Sequence, residues 1–517
     1  MKKEQASNYA KDESKIFVKQ DTPYAMKAVS HPPLLSAKQD NSSSVGTSHP
    51  PLLSAKQDNL SRVGTSRSPI QVPSERTKIP LILVPGKKGK LVGYLAILAF
   101  MAFLTVKTFL LLFVVDPIIG VYGFMSTFLI FLAFFFSYLK YQDPSIPNKN
   151  SNLGTYLPLL SVIIPSKNDG VLIRKVAEAC LNSTYEKTQV ILVNDGSTDD
   201  TGTVMDSLKN EYPDKVEVIH QPKNMGKRKA ILAALNSNQV GEIVVLIDSD
   251  SIVEATALER LVQCFRDPDV GAVTAHGRAL NAEQNILTKI QDTWYDGTFF
   301  IMKGMESSFN SVTCCSGILS AYRKVAISPC LERWANDKFL GAEFQPGDDR
   351  HLTAYVLGGN QHYIDKKEKK WKVVYCESAK VKTEVPSKFR KWANQQIRWK
   401  KSWLRVFLFM APFYFKDRSI VPVITYYVQM SLSLISPIIS FRALVFLPLS
   451  GKWEYAILYL LGLTFIGLMY GFAFKARNPE VQNRWLYRLL FTPLSIVMSW
   501  LLYYALLTIK KNSWLTR

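Results

Sequence analysis

Cysteine is scarce in this chain of 517 residues, which has only six. All six lie between Cys180 and Cys376, and none shows a metal-ligand spacing, so reduced thiols in a cytoplasmic domain are expected. Acidic residues are also short, 42 against 63 basic, giving a formal charge of +21. That balance suits nucleic acid, but no nucleic-acid-binding module is recognisable. A basic membrane-facing surface and an anionic substrate are expected instead. Residues 1–86 hold no long apolar run, so no cleavable signal peptide is predicted. They are rich in Ser, Pro, Lys and Gln and contain a direct repeat with an 18-residue offset, Ser30 to Asn41 and again Ser48 to Asn59. Two polar copies are too few for a solenoid, and a disordered tail is expected.

Long apolar runs are unevenly spread. Within 87–140, Leu91–Val115 is broken only by Lys107, Asp116-Pro117 makes a turn, and Ile118–Leu139 follows. Each run is long enough to cross a bilayer. Basic residues flank the outer ends of the pair, which predicts a cytoplasmic N-terminus and a cytoplasmic segment after Lys140. Residues 386–418 are basic and aromatic, and Lys and Arg interleaved with Trp at helical spacing suit helices in the membrane interface. Within 419–517, two spans are predicted near Ile420–Val445 and Tyr455–Phe474. The last run, Leu489–Leu507, contains Pro493 and is expected to be a bent interfacial or re-entrant segment with a cytoplasmic C-terminus.

The mixed region, 141–385, alternates strand and helix patterns. Strands are predicted at Leu159–Pro165, Gln189–Val193, Val216–Ile219 and from Ile243, with helices at Val171–Leu181, Asp199–Leu208 and Lys227–Leu235. This βαβ rhythm predicts a mostly parallel sheet with helices on both faces. The strand from Ile243 ends in Asp248-Ser249-Asp250, where an open α/β sheet places its ligand site. Two hard carboxylates there suit Mn2+ or Mg2+, which can hold a diphosphate; a solvated turn gives the same residues.

Four more signals surround this one. Asp195-Gly196-Ser197 follows the second strand and suits the nucleoside end of a nucleotide, or an ordinary capped turn. Gly226-Lys227-Arg228 opens a helix, where cations and free N–H groups favour phosphate, or forms a solvated basic turn. Gly347-Asp348-Asp349-Arg350 offers a carboxylate that could serve as general base, or an N-cap. Gln395-Gln396-Ile397-Arg398-Trp399 could supply an Arg to a departing diphosphate and a Trp to a sugar ring.

In this order, between apolar segments, the five motifs resemble the processive family 2 glycosyltransferases: the hyaluronan, chitin and cellulose synthases. Within that group Trp334–Gly341, Gly347–Thr353 and Gln395–Trp403 are most similar to hyaluronan synthases. The terminal Trp514-Leu515-Thr516-Arg517 resembles their Trp-Gly-Thr-Arg gating motif, with Leu515 in place of Gly. Cys315–Arg323 resembles the priming loop, with Ile318 where Pro is usual.

The resemblance implies an α/β nucleotide-sugar domain of the GT-A type, and a multi-pass enzyme of the plasma membrane. It would transfer sugar from UDP-sugars with inversion and extrude the polymer, with no nucleic-acid partner. Asp349 would be the base and Arg398 would help the UDP leave. Asp169, Asp195, Lys227, Arg228, Asp248 and Arg517 would hold the nucleotide. Asp250 and Asp248 would bind Mn2+ or Mg2+. Gln395, Trp399, Trp514 and Thr516 would serve the acceptor and the gate. The favoured product is hyaluronan, from UDP-N-acetylglucosamine and UDP-glucuronate. Chitin or a chitin oligosaccharide follows, then a β-glucan.

Overall fold

The computed structural model describes residues 87–113, 116–146, 156–237, 240–481 and 483–510. The expected disordered tail and the terminal Trp514, Thr516 and Arg517 lie outside the described residues.

Two antiparallel helices come first, α1 (Lys87–Phe113) and α2 (Pro117–Leu139). Asp116 caps α2 by accepting the Ile119 N–H at 3.2 Å, and Pro117 sits at the first helical position, where no N–H is needed. Lys107, the charge that interrupts the first run, does not leave the bundle. Its Nζ donates to the Gly123 carbonyl at 2.9 Å and to Thr127 Oγ1 at 2.7 Å, so the ammonium spends its donors on α2.

The chain then enters the mixed region. Its strands are β1 (Leu160–Ser166), β2 (Thr188–Asp195), β3 (Val216–Gln221), β4 (Ile243–Leu246), β5 (Ser251–Val253), β6 (Val270–Ala279), β7 (Ser320–Arg323), the pair β8 (Lys338–Phe339) and β9 (Ala342–Glu343), and β10 (Lys372–Thr383). Eight of them form one sheet in the order β3-β2-β1-β4-β7-β6-β10-β5. β3, β2, β1 and β4 run parallel, as do β6 and β10, while β7 lies antiparallel between the two groups. β1, β4 and β7 are buried along their whole length, which is why β1 and β4 read as apolar or small-residue runs.

Helices α3 (Gly170–Leu181), α4 (Thr201–Glu211) and α5 (Lys227–Leu235) fall where the periodicity predicts them. They are followed by α6 (Ala257–Cys264), α7 (Ile286–Gly297) and α8 (Asp348–Ala354). All six cysteines are buried and free.

Helix α9 (Phe389–Met410) carries the basic and aromatic stretch, and α10 (Ile420–Phe441), α11 (Glu454–Arg477) and α12 (Phe491–Leu507) complete the chain. Among the described residues, five helices are long and apolar enough to cross a membrane. Near the sheet domain, Tyr141 donates to the Tyr375 carbonyl at 3.0 Å, and Arg477 at the end of α11 pairs with Glu377 at 2.6 Å. The other end of α2 is about 35 Å away at 1.5 Å per residue. There Asp116 pairs with Arg442 at 2.6 Å.

One expectation is corrected. Pro493 does not bend the last segment, because it falls in the first turn of α12, and the helix continues unbroken to Leu507. The helix packs along α9 and against α10.

Candidate active site

Helix dipoles and strand ends converge at the carboxyl edge of β1, β2 and β4. β4 leaves its ladder at Leu246, Ile247 is still buried, and Asp248 follows in the turn. Asp169, just beyond β1, accepts the Ser249 hydroxyl at 2.5 Å and so ties the first strand end to the aspartate turn. Asp195, the last residue of β2, is buried and accepts the backbone N–H groups of Met225 at 2.6 Å and Gly226 at 3.0 Å. The aspartate thereby folds the loop before α5 over the strand ends and sets Lys227 at the start of that helix.

The Lys227 ammonium lies 2.5 Å from Asp248 Oδ1 and 3.0 Å from Asp348 Oδ2. Burial opposes its charge, but Asp248, Asp348 and Asp349 hold it protonated beyond the ordinary lysine range. Burial likewise opposes ionisation of Asp348, yet Lys227 and Arg228, with Arg398 further off, keep that carboxyl below its usual range.

Asp250 behaves the other way. Burial, helped by the neighbouring Asp248 charge, pushes it up to about 6. The Thr383 hydroxyl, donating at 3.1 Å, offsets this only in part. A carboxylate whose ionisation is resisted by a second carboxylate fits a divalent cation. Among the described residues no group of three or more His, Cys, Asp or Glu could form a complete cage. Two carboxylates leave the remaining positions to phosphate and water, which is how Mg2+ is commonly held.

Asp349 is the second residue of α8 and faces the loop before β7. Its Oδ2 accepts the Gly317 N–H at 3.0 Å and the Cys314 thiol at 3.7 Å, and Oδ1 accepts the Arg350 N–H at 2.7 Å. Gly317 joins the two halves of the site. A Cβ there would lie 3.2 Å from Lys227 Nζ and 3.5 Å from each Asp248 oxygen. The backbone at 317 therefore donates to Asp349 and leaves less than a side chain's room before the Lys227–Asp248 pair.

The motif on α9 completes the wall. Trp399 lies 6.0 Å from the Trp294 ring and 6.3 Å from Tyr295, and Trp294 stacks on Phe491 at 5.3 Å. Arg398 is close enough to Asp348 to favour its charge. Gln395 is half-buried one turn earlier on the same helix.

Arg228, expected at the nucleotide, is almost fully buried. It turns inward, donating to the carbonyls of Trp334 at 3.0 Å and Pro346 at 3.4 Å. Asp348, Gly317, Thr383 and the Trp294–Tyr295 pair are in the site without having been singled out for it. Asp348 was legible as the first acid of its motif. Thr383 and Trp294 carried no local signal, because only strand pairing and helix packing bring them near.

Residues 158–402 match the family described as Glycosyltransferase like family 2. Over 251 residues the chain is 32% identical to a hyaluronan synthase of Streptococcus pyogenes, covering 48% of this chain and 57% of that protein. Over 256 residues it is 32% identical to an N-acetylglucosaminyltransferase of Rhizobium meliloti (strain 1021), covering 48% and 56%. The chain thus spans a little over half the length of these relatives. Among solved structures it is similar in fold to a mannosyltransferase from Pyrobaculum calidifontis in complex with GDP-Man and Mn2+. That match has a TM-score of 0.50 and 18% identity over 81% of this chain and 98% of that one.

Proposed function

Because residues 158–402 are a family 2 glycosyltransferase domain, we propose that this chain is a membrane-embedded, processive, inverting synthase that polymerises UDP-sugars and passes the product across the bilayer. The observation that carries the reading is the junction at Gly317, whose N–H donates to Asp349, a carboxylate in no salt bridge among the described residues, and where a side chain would meet the charged Lys227–Asp248 pair.

Asp349 takes the proton of the acceptor hydroxyl, which attacks the anomeric carbon in line. Lys227 and Arg398 place positive charge beside the departing diphosphate. Asp195 and Asp169 shape the nucleoside end, and Trp399 presents an aromatic face to the acceptor sugar. Asp248 and Asp250 would hold Mn2+ or Mg2+, which when bound neutralises charge on the diphosphate. By resemblance, Trp514, Thr516 and Arg517 would close over the bound donor. The domain would face the cytoplasm of a plasma-membrane protein, since the basic residues Lys140, Arg477 and Arg484 gather on its side.

Hyaluronan is the product we favour, and the likeness to a hyaluronan synthase supports it. The similar identity to an N-acetylglucosaminyltransferase supports chitin or its oligosaccharides as the second reading. The test is to incubate purified protein with labelled UDP-N-acetylglucosamine and UDP-glucuronate, singly and together, and to digest the product. Long polymer from the pair alone, cut by hyaluronidase, is expected. Polymer from UDP-N-acetylglucosamine alone, cut by chitinase, establishes the second reading. Release of UDP with neither polymer points to a transferase acting on another acceptor.

A further inference from the structure

Behind the loop that carries Asp349 lies a buried charge cluster built from protein groups alone. Its centre is Asp337, in the turn between Trp334 and β8. Arg405 of α9 donates to Asp337 Oδ1 at 2.9 Å. Arg228 of α5 lies 3.4 Å from Oδ2, and His351 Nδ1 of α8 lies 3.3 Å from the same oxygen. The side chains are almost sealed: exposure is 7% for Asp337, 4% for Arg228, 1% for His351 and 12% for Arg405. Burial pushes His351 down to about 4, so it is neutral near pH 7 and the negative charge answers two guanidinium groups. Despite burial, His351, Arg405 and Arg228 together bring Asp337 down to about 2.

Each partner belongs to an element that holds part of the site. Arg228 directly follows Lys227 and grips the base loop through the Pro346 carbonyl. Trp334, whose carbonyl Arg228 also holds, donates its indole N–H to the Asp348 carbonyl at 2.9 Å. His351 is two residues past Asp349, and Arg405 lies two turns beyond Arg398 and Trp399. Three elements thus meet at one carboxylate: the helix of the donor-side lysine, the helix of the base and the helix of the acceptor-side tryptophan.

We propose that Asp337 is a positioning residue that fixes the Asp349 loop against both Lys227 and the α9 motif. The inference rests on the glycosyltransferase reading above. Without the carboxylate, two buried guanidinium groups lose the negative charge they share and repel each other. Arg228 then releases Pro346 and Trp334, and Asp349 shifts relative to Lys227. Asp195 holds the loop before α5 through the Met225 and Gly226 N–H groups, and Asp248 is held by Lys227; Asp337 takes part in none of these bonds, so nucleotide binding persists.

The experiment uses the full chain, purified in detergent, with Asp337→Asn and Asp337→Glu. For Asp337→Asn, kcat of sugar transfer is expected to fall about 10- to 100-fold, the loss typical of a misplacement near 1 Å. The KM for the UDP-sugar and the Kd for UDP should stay within about two-fold of wild type, and Asp337→Glu should recover part of kcat. If Asp337→Asn does not fold, Arg405→Gln serves instead, because it removes one charge and keeps a donor; the same kcat-only loss, smaller in size, is expected. Unchanged kcat in a folded Asp337→Asn protein overturns the proposal. So does a loss of UDP affinity equal to the loss of kcat, which marks a merely structural role. Wild-type protein that transfers no sugar from any UDP-sugar defeats the functional reading itself and the inference with it.

Discussion

Gly347, which precedes the paired aspartates, is the position where one methyl group tests the architecture of the site most directly. Its φ is +74°, in the left-handed region, and a Cβ built there would lie 1.6 Å from Ser402 Oγ, 2.5 Å from Ser402 Cβ and 3.4 Å from Ser402 Cα. Rotating Ser402 clears its hydroxyl but not its Cβ, and Ser402 is buried on α9. Gly347→Ala therefore forces the base loop and α9 apart. The left-handed backbone costs about 1–2 kcal/mol, and the overpacking about 1–3 kcal/mol more. A displacement near 1 Å also costs transfer about 100-fold.

The compensating change is Ser402→Gly, after which the nearest remaining atom of that residue is its Cα at 3.4 Å, an ordinary contact. Ser402→Gly alone weakens α9 by a few tenths of a kcal/mol, so it is the proper baseline for the pair. Adding Gly347→Ala to it should cost only the backbone part, and the cycle should show coupling of about 1–3 kcal/mol. Thermal unfolding and kcat of the four purified proteins measure both effects. Full activity in Gly347→Ala, or an unrelieved defect in the double variant, would refute the reasoning.

Three further outcomes are expected. Asp349→Asn keeps the shape of the base but cannot take a proton, so transfer should drop by roughly 10²–10⁴-fold while UDP still binds; activity within a few-fold of wild type removes Asp349 from the role. Asp250→Ala should abolish Mn2+-dependent UDP binding, measured by titration calorimetry, whereas undiminished binding in EDTA would reduce the aspartate pair to a turn. His351 is held neutral by burial with a folded value of about 4, below its unfolded value. Its contribution is therefore complete near pH 7 and is lost as pH falls from about 6.5 to about 4, roughly 3 kcal/mol in all. His351→Gln should flatten the pH dependence of the melting temperature across that window, and superimposable curves for the two proteins would contradict the assignment.

The sequence by itself determined the local elements and singled out candidate residues for the chemistry. Apolar runs set the long helices, because their length and composition leave few alternatives. Period-2 and period-3.6 patterns placed β1 to β4 and α3 to α5 within a few residues, because those elements bury one face or both. Motif spacing picked out Asp195, Lys227, Asp248, Asp250, Asp349 and Trp399, since such residues at strand and helix ends serve either a cap or a ligand. The tertiary structure decided what sits beside what. It turned Arg228 inward to Asp337, set Gly317 beside Lys227 and Asp349, and packed Trp294 against Phe491, pairs that are 32 to 197 residues apart. It also kept α12 continuous, because a proline is tolerated in the first turn of a helix, which its mere presence in an apolar run does not reveal. Local pattern encodes which face of an element is buried. Which partner that face meets depends on chain crossings and side-chain fit between distant segments, and only the folded chain contains that information.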